Sequence, residues 1–251
     1  MRLGLIGAGN MASALALGVG RPVLVSDPDR HRATKLADRT GGKALEHNAE
    51  VARSADVVLL CHKPAQLEEV AAEVAPDARA VASVLAGVKL ARLEAAYPDR
   101  PVYRFIPNLP VEVGRGVLCY AAGSRAGEGP ERELLELLGL AATVVRLDEP
   151  LIEPAMAVMS CGPAFLALVA DSLADAAGRH GLGRPLATRL VVETMAGTAA
   201  WLDAHDLDGA ELRRRVATPG GLTERGLETL EREGLPRALT AAVDEVVEAV
   251  R

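Results

Sequence analysis

The stretch LGLIGAGNMASAL, Leu3 to Leu15, decides how the rest of the chain is read. A short apolar run meets Gly7-Ala8-Gly9-Asn10-Met11-Ala12, a G-x-G-x-x-A variant of the dinucleotide fingerprint, and an Ala- and Leu-rich helical segment follows. Gly7 permits a tight turn, Gly9 lets the backbone approach a pyrophosphate, and Ala12 keeps the helix close to the strand. A fingerprint gains weight when it follows a strand, opens a helix and has an acidic residue about 20 positions on. Asp27, at the end of the apolar run PVLVSD (Pro22–Asp27), supplies that residue. It has two readings. Its carboxylate either accepts both ribose hydroxyls, which favours NAD, or caps a helix beginning near Pro28, with Arg30 or Arg32 holding a 2′-phosphate. The sequence leaves NADPH or NADH open.

Outward from this turn, apolar runs alternate with amphipathic segments. Strands are predicted at Lys43–Leu45, Ala55–Cys61, within AVASVLAG (Ala80–Gly87) and at Val102–Pro107, with helices between them. The unbroken ADVVLLC run (Ala55–Cys61) suits a central parallel strand buried on both faces. This rhythm predicts a parallel sheet covered by helices on both sides. After Asn108, GVLCYAAG and TVVRLD flank the helix PERELLELLGL and either extend or close the sheet. Strand signals stop near Leu151. The expected fold class is α/β: an N-terminal Rossmann-type parallel sheet domain, residues 1–149, followed by an all-helical C-terminal domain, residues 150–251. Thr218-Pro219-Gly220-Gly221 marks a sharp break between two of the later helices.

Composition bounds the function. Of 251 residues, 49% are hydrophobic, enough for a sizeable core, while only 2% are aromatic. With so few rings for base stacking, a formal net charge of -6 and no long basic run, nucleic-acid binding is not expected. No apolar run is read as reaching the roughly 18–20 residues that cross a bilayer, so no membrane association is expected. The N-terminus lacks a signal-peptide layout. Cys61, Cys119 and Cys161 form no CxxC pair and read as packing residues, and the five histidines show no metal-ligand spacing. No metal and a cytoplasmic location are the expectations.

Six stretches carry a resemblance: IGAGNMA (Ile6–Ala12), CHKPAQLEEV (Cys61–Val70), SVLAGV (Ser83–Val88), FIPNLPVEVGRGV (Phe105–Val117), SCGPAF (Ser160–Phe165) and VATPGGLTERGLETLE (Val216–Glu231). In this order, over nearly the whole chain, they resemble the pyrroline-5-carboxylate reductase family. The resemblance implies reduction of the cyclic imine 1-pyrroline-5-carboxylate to L-proline with NADPH or NADH. It also implies a helical domain that interlocks two subunits, giving a homodimer or a ring of dimers. Carried over residue by residue, it assigns cofactor contacts to Ile6, Gly7, Gly9, Asn10 and Met11. Asn48 falls on the adenosine side, Lys63 and Pro64 line the cofactor, and Ala86, Gly87 and Asn108 complete the set. The Pro-Gly-Gly-x-Thr loop falls on Pro219, Gly220, Gly221, Leu222 and Thr223, the substrate-binding segment.

The residues make chemical sense in these roles. Gly220–Thr223 opens a helix, whose unpaired N–H groups suit the substrate carboxylate. Thr223 is the expected catalytic residue, hydrogen-bonded to the imine nitrogen; otherwise it is a hydroxyl of the helix cap region. Placement of nicotinamide C4 beside the imine carbon would supply most of the acceleration. Asn48 also reads as a helix N-cap, Asn108 as a turn residue, Lys63 as a solvated charge and His62 as a strand-end residue without catalytic duty. The chain departs from the family pattern at Cys161, Leu109 and Leu222, and Asp206 stands where a Glu is common. Two other readings remain. A β-hydroxyacid reductase needs a Lys base, and Glu153–Asp175 holds no Lys; an inactive nucleotide-binding homologue would bind cofactor without turnover.

Overall fold

The computed structural model describes residues 1–250. They divide into two compact units, residues 1–163 and 164–249.

The first unit is built on an eight-stranded sheet. Its strands are β1 (Leu3–Ile6), β2 (Val23–Ser26), β3 (Lys43–Ala44), β4 (Val57–Leu60), β5 (Val81–Ser83), β6 (Val102–Pro107), β7 (Gly116–Ala122) and β8 (Ala142–Arg146). Their order is β3-β2-β1-β4-β5-β6-β7-β8. The chain therefore winds one way from β1 to β3 and the other way from β4, which puts a switch point between β1 and β4. In open α/β sheets the crevice beyond the strand ends at such a point is where ligands bind. β1 and β4 are buried at every position, as continuous apolar runs between two helix layers should be.

Two apolar layers fill the space on either side. One packs α1 (Asn10–Val19), α2 (Arg30–Thr40) and α6 (Glu131–Leu138) on the sheet through residues such as Leu15, Leu36 and Leu134. The other packs α3 (Asn48–Ser54), α4 (Leu67–Val74), α5 (Leu90–Ala96) and α7 (Ile152–Met159) through Val51, Leu67, Leu93 and Ile152.

The sheet is parallel, as expected, except at one pair past Asn108: β6 and β7 run antiparallel, with Tyr103 opposite Ala122 and Pro107 opposite Leu118. Their link is a short 3-10 turn, Leu109–Val113, ended by Gly114 at φ 70°. A short link can join only antiparallel neighbours, because a parallel pair needs a longer crossover. The two final strands extend the sheet and do not close it.

A buried arginine ties α7 to this sheet. Arg104, on β6, is 1% exposed. Its Nη1 donates to Glu149 Oε1 (3.0 Å) and its Nη2 to Glu153 Oε1 (2.7 Å). Asn108 makes a second tie, donating from Nδ2 to the Met159 carbonyl (3.0 Å) and accepting the Val117 N–H at Oδ1 (2.8 Å). Ser160 Oγ donates to the Pro107 carbonyl (3.1 Å).

The second unit carries most of α8 (Gly162–Arg179), then α9 (Arg184–Asp203), α10 (Gly209–Val216), α11 (Leu222–Arg232) and α12 (Leu235–Ala249). Gly181 and Gly234, at φ 88° and 85°, supply two of the breaks. Ala174 and Ala187 are its fully buried apolar residues among those described, while Leu166, Leu168, Leu186, Leu190 and Val192 are at least half exposed. The segment Glu149–Arg179 is long and apolar enough to cross a membrane by length and composition, with only 6% of its apolar window buried. That overturns the reading that no run reaches such a length. Ser160 and Cys161 interrupt it between α7 and α8, and Glu153 near its start is held by Arg104.

Candidate active site

The glycine turn is shaped by what surrounds it. Gly7 sits at φ +104°, and a Cβ there would lie 2.8 Å from the Cys61 carbonyl oxygen at the end of β4. Only glycine meets both demands, since L side chains rarely adopt that φ. The turn is pinned on both sides, the Gly7 N–H donating to Ser26 O (2.8 Å) and the Cys61 N–H to Ile6 O (2.9 Å). Gly9 is the N-cap of α1 and has open space where a side chain would stand. No side chain caps α1. The N–H groups of Asn10, Met11 and Ala12 have no intrahelical acceptor, and they present the positive end of the helix to the groove. An unobstructed turn followed by an uncapped helix start fits a pyrophosphate.

Asp27 follows β2 and faces the same groove. Its Oδ2 accepts the Ala8 N–H (2.7 Å) and its Oδ1 the Asp29 N–H (2.8 Å). It is not the helix cap. Asp29 fills that position, accepting from His31 and Arg32 N–H, and α2 starts at Arg30. The cap reading of Asn48 is corrected in the same way, because His47 is the N-cap of α3. The Glu50 carboxylate accepts the Glu46 and His47 N–H groups, which holds its pKa below the usual range. Asn48 instead joins two elements, accepting from Ser26 Oγ (2.7 Å) and donating to Glu73 (2.9 Å).

A cavity of about 570 Å³ gathers Ile6, Gly7, Gly9, Asp27, Asn48, Lys63 and Pro64. Asn10 borders a second cavity, of about 710 Å³, beside Arg32, Lys35 and Arg39. Met11 packs against the apolar layer. Ala86 and Gly87 form an exposed turn after β5, with Gly87 at φ 72°. Asn108 is buried, and its amide is committed to β7 and α7. Two carboxylates in the groove, Glu69 and Glu73, went unassigned in the sequence, and His62, read there as a strand-end residue, also lines it. The His62 ring nitrogen Nδ1 lies 2.9 Å from the Lys63 carbonyl, and burial pushes its pKa down. Burial also pushes the Cys61 thiol up to about 12, which leaves it an inert packing group.

The Pro219–Thr223 loop lies in the second unit. Gly220 takes φ +71°, and the Gly221 N–H donates to Thr218 O (2.8 Å). Gly221 is the N-cap of α11 and no side chain caps that helix. Leu222 is 86% exposed, and Thr223 is exposed as well. The Gly220 N–H is not free, since it donates to the Glu224 carboxylate (2.6 Å). The anion-holding groups that remain are the first-turn N–H groups of α11. Glu224 was not singled out in the sequence; its place four residues past Gly220 was the signal.

Gly7→Ala is expected to weaken dinucleotide binding about tenfold or more, since left-handed strain costs on the order of 1–3 kcal/mol. Fluorescence titration with the reduced cofactor checks this; unchanged affinity would show that the turn tolerates a side chain.

A strand, a glycine turn and an uncapped helix at the switch point, with a carboxylate after the next strand, define a Rossmann-type dinucleotide-binding protein. Residues 2–87 match the model of the family described as NADP oxidoreductase, coenzyme F420-dependent, and residues 149–251 that of pyrroline-5-carboxylate reductase dimerisation. The pyrroline-5-carboxylate reductase of Synechocystis is 31% identical over 97% of this chain and 94% of its own length. The Pseudomonas aeruginosa enzyme is 33% identical over 97% and 93%. Pyrroline-5-carboxylate reductase 3 of Macaca fascicularis is 35% identical over 97% and 92%. Among solved structures, the Plasmodium falciparum pyrroline carboxylate reductase with NADP bound superposes with TM-score 0.89, at 25% identity over 100% of this chain and 97% of its own. This chain belongs to the pyrroline-5-carboxylate reductase family.

Proposed function

We propose that this chain reduces 1-pyrroline-5-carboxylate to L-proline with NADPH or NADH. The observation that carries this reading is the glycine turn at the β1/β4 switch point, pinned open and paired with Asp27, in a chain of this family. The cofactor supplies a hydride from nicotinamide C4. Ile6, Gly7 and Gly9 hold its pyrophosphate against the start of α1, Asp27 and Asn48 face its adenosine side, and Lys63 and Pro64 line it. The first-turn N–H groups of α11 take the substrate carboxylate. Thr223 Oγ1 hydrogen-bonds the imine nitrogen and keeps it protonated while the adjacent carbon accepts the hydride. The C=N bond becomes a C–N single bond, and the nitrogen keeps the proton it arrived with, so no strong acid is needed. Ala86, Gly87 and Asn108 support the loops around the cofactor, Asn108 through its ties to β7 and α7.

The helical unit is the seat of self-association. With Ala174 and Ala187 alone fully buried among its described apolar residues, it has no adequate core of its own, and its exposed leucines need a second copy. The match to the family's dimerisation model supports a homodimer or a ring of dimers. A cytoplasmic location goes with three unpaired cysteines. Gel filtration is expected to give a dimer or larger species, and a clean monomer would contradict the assembly. Purified protein is expected to oxidise NADH or NADPH when pyrroline-5-carboxylate is added, with L-proline formed in equal amount. No rate above the blank with either cofactor would overturn the function.

A further inference from the structure

We propose that Glu224 is a built-in competitor for the substrate carboxylate, and that it limits how far this chain favours cyclic imines bearing a carboxylate over those without one. The inference rests on the substrate reading above and deepens it. The first observation is the bond that Glu224 makes. Its Oε2 accepts the Gly220 N–H at 2.6 Å. That N–H belongs to the same turn whose donors suit an anion. Glu224 is the third residue of α11 after the Gly221 cap, the position from which a Glu side chain reaches back over a helix start. The usual target there is the cap's own N–H. Here the Gly221 N–H is spent on Thr218 O (2.8 Å), so the carboxylate reaches one residue further, to left-handed Gly220.

The second observation is charge. No side chain caps α11, and its first-turn N–H groups present the positive end of the helix. Glu224 already sets a carboxylate at that end. Among the described residues no ion pair involves Glu224. Two arginines in the last turn of α10, Arg214 and Arg215, hold Glu211 instead, at 2.8 and 2.7 Å. A substrate carboxylate docking on the first-turn N–H groups would meet a second carboxylate fixed to the same turn, and like charges at one helix start oppose each other.

The competition acts on every ligand with that group. L-proline carries the same carboxylate as 1-pyrroline-5-carboxylate, so product is weakened along with substrate and leaves readily. 1-Pyrroline, the same ring without the carboxylate, makes no demand on the start of α11 and is indifferent to Glu224. The hydride step is untouched, because the imine nitrogen is met by Thr223 in the proposed reaction. Glu224 is therefore a specificity-determining residue of binding.

The test compares the wild type, Glu224→Gln and Glu224→Ala, with kcat and KM measured for 1-pyrroline-5-carboxylate and for 1-pyrroline. Calorimetric titration with L-proline in the presence of oxidised cofactor reads carboxylate binding without turnover. Glu224→Gln removes the charge and keeps an oxygen for the Gly220 N–H, so the helix start survives; Glu224→Ala frees that N–H as well. Both variants are expected to lower KM for 1-pyrroline-5-carboxylate and the Kd of L-proline about tenfold, the scale of one hydrogen bond to a charged group. The kcat values and the KM for 1-pyrroline are expected to stay unchanged. A purely structural cap would instead shift both imines alike. An unchanged KM for the carboxylate substrate in both variants overturns the proposal, as does an equal change for the two imines. A rise in KM for both imines would overturn it too, since the carboxylate would then be serving the protonated nitrogen. Tighter L-proline binding by the variants without turnover by any of the three proteins would leave the competitor standing and sink the proposed reaction. Neither turnover nor L-proline binding by any of them would sink both.

Discussion

Arg104→Ala is expected to destabilise the sheet unit by about 3–5 kcal/mol, the cost of breaking a buried ion pair from one side. The guanidinium sits inside β6 at 1% exposure, and its two terminal nitrogens are spent on Glu149 and Glu153. Glu149 also accepts the Leu90 N–H at the start of α5 (2.6 Å), so one carboxylate bridges β6 and a helix on the same face. Alanine would leave two carboxylates facing an apolar layer, with a cavity where the arginine stem had been. For a chain of this size, such a loss lowers the melting temperature by on the order of 10 °C. Thermal unfolding followed by circular dichroism checks it. A shift under about 2 °C would show that solvent already shares the charge. The triple change Arg104→Met, Glu149→Gln, Glu153→Gln separates the two contributions, because removing all the charges is often close to neutral. It is expected to recover most of the lost stability.

The position of Arg104 also shows where sequence reading stops. VYRFIP reads correctly as a strand because four of its six residues are β-branched or aromatic, but nothing in it says that the arginine points inward. Its partners lie more than forty residues on, in a segment that reads as the approach to a helix, and pairing at that separation has no local signature. The strand-turn-helix from Leu3 to Val19 was legible for the opposite reason. Its glycines, its apolar run and its helical spacing are all local, and they agree with one another. The antiparallel β7 lay between these cases. The short link after Asn108 was visible, yet its meaning depended on which neighbour β7 joined.

Caps divide along the same line. Asp27 and Asp29 are two residues apart and both suit a helix start, so composition cannot say which caps α2. The backbone decides it: Asp29 has the extended φ of -84° and ψ of 93° and aims at the His31 and Arg32 N–H groups, which frees Asp27 for the groove. Asn48 gave the cap to His47 for a similar reason, because the Glu50 carboxylate reaches back to the His47 N–H. On the substrate side, the Pro-Gly-Gly break and the helix after it were legible, whereas the Glu224 carboxylate taking the Gly220 N–H was not. That bond narrows the anion-holding groups to the helix's own first turn.

Thr223→Ala is expected to lower kcat about 100-fold, the scale of one hydrogen bond or proton contact made at the reacting atom. Cofactor affinity is expected to stay unchanged, since Thr223 belongs to the helical unit and the glycine turn to the sheet unit. The structure removes the simplest competing explanation. The N-cap of α11 is Gly221, so Thr223, the second residue of the helix, is not the cap, and alanine is a good helix former there. A loss of activity would therefore not be a loss of the helix. Thr223→Ser keeps the hydroxyl and is expected to retain most of the turnover, whereas Thr223→Val keeps the shape and should fail as alanine does. Stopped-flow oxidation of the reduced cofactor on adding pyrroline-5-carboxylate separates the hydride step from binding. Equal single-turnover rates for wild type and Thr223→Ala would remove the hydroxyl from the chemistry. Substrate would then be held by the first-turn N–H groups of α11 alone, and an imine that arrives protonated would need no further partner at its nitrogen.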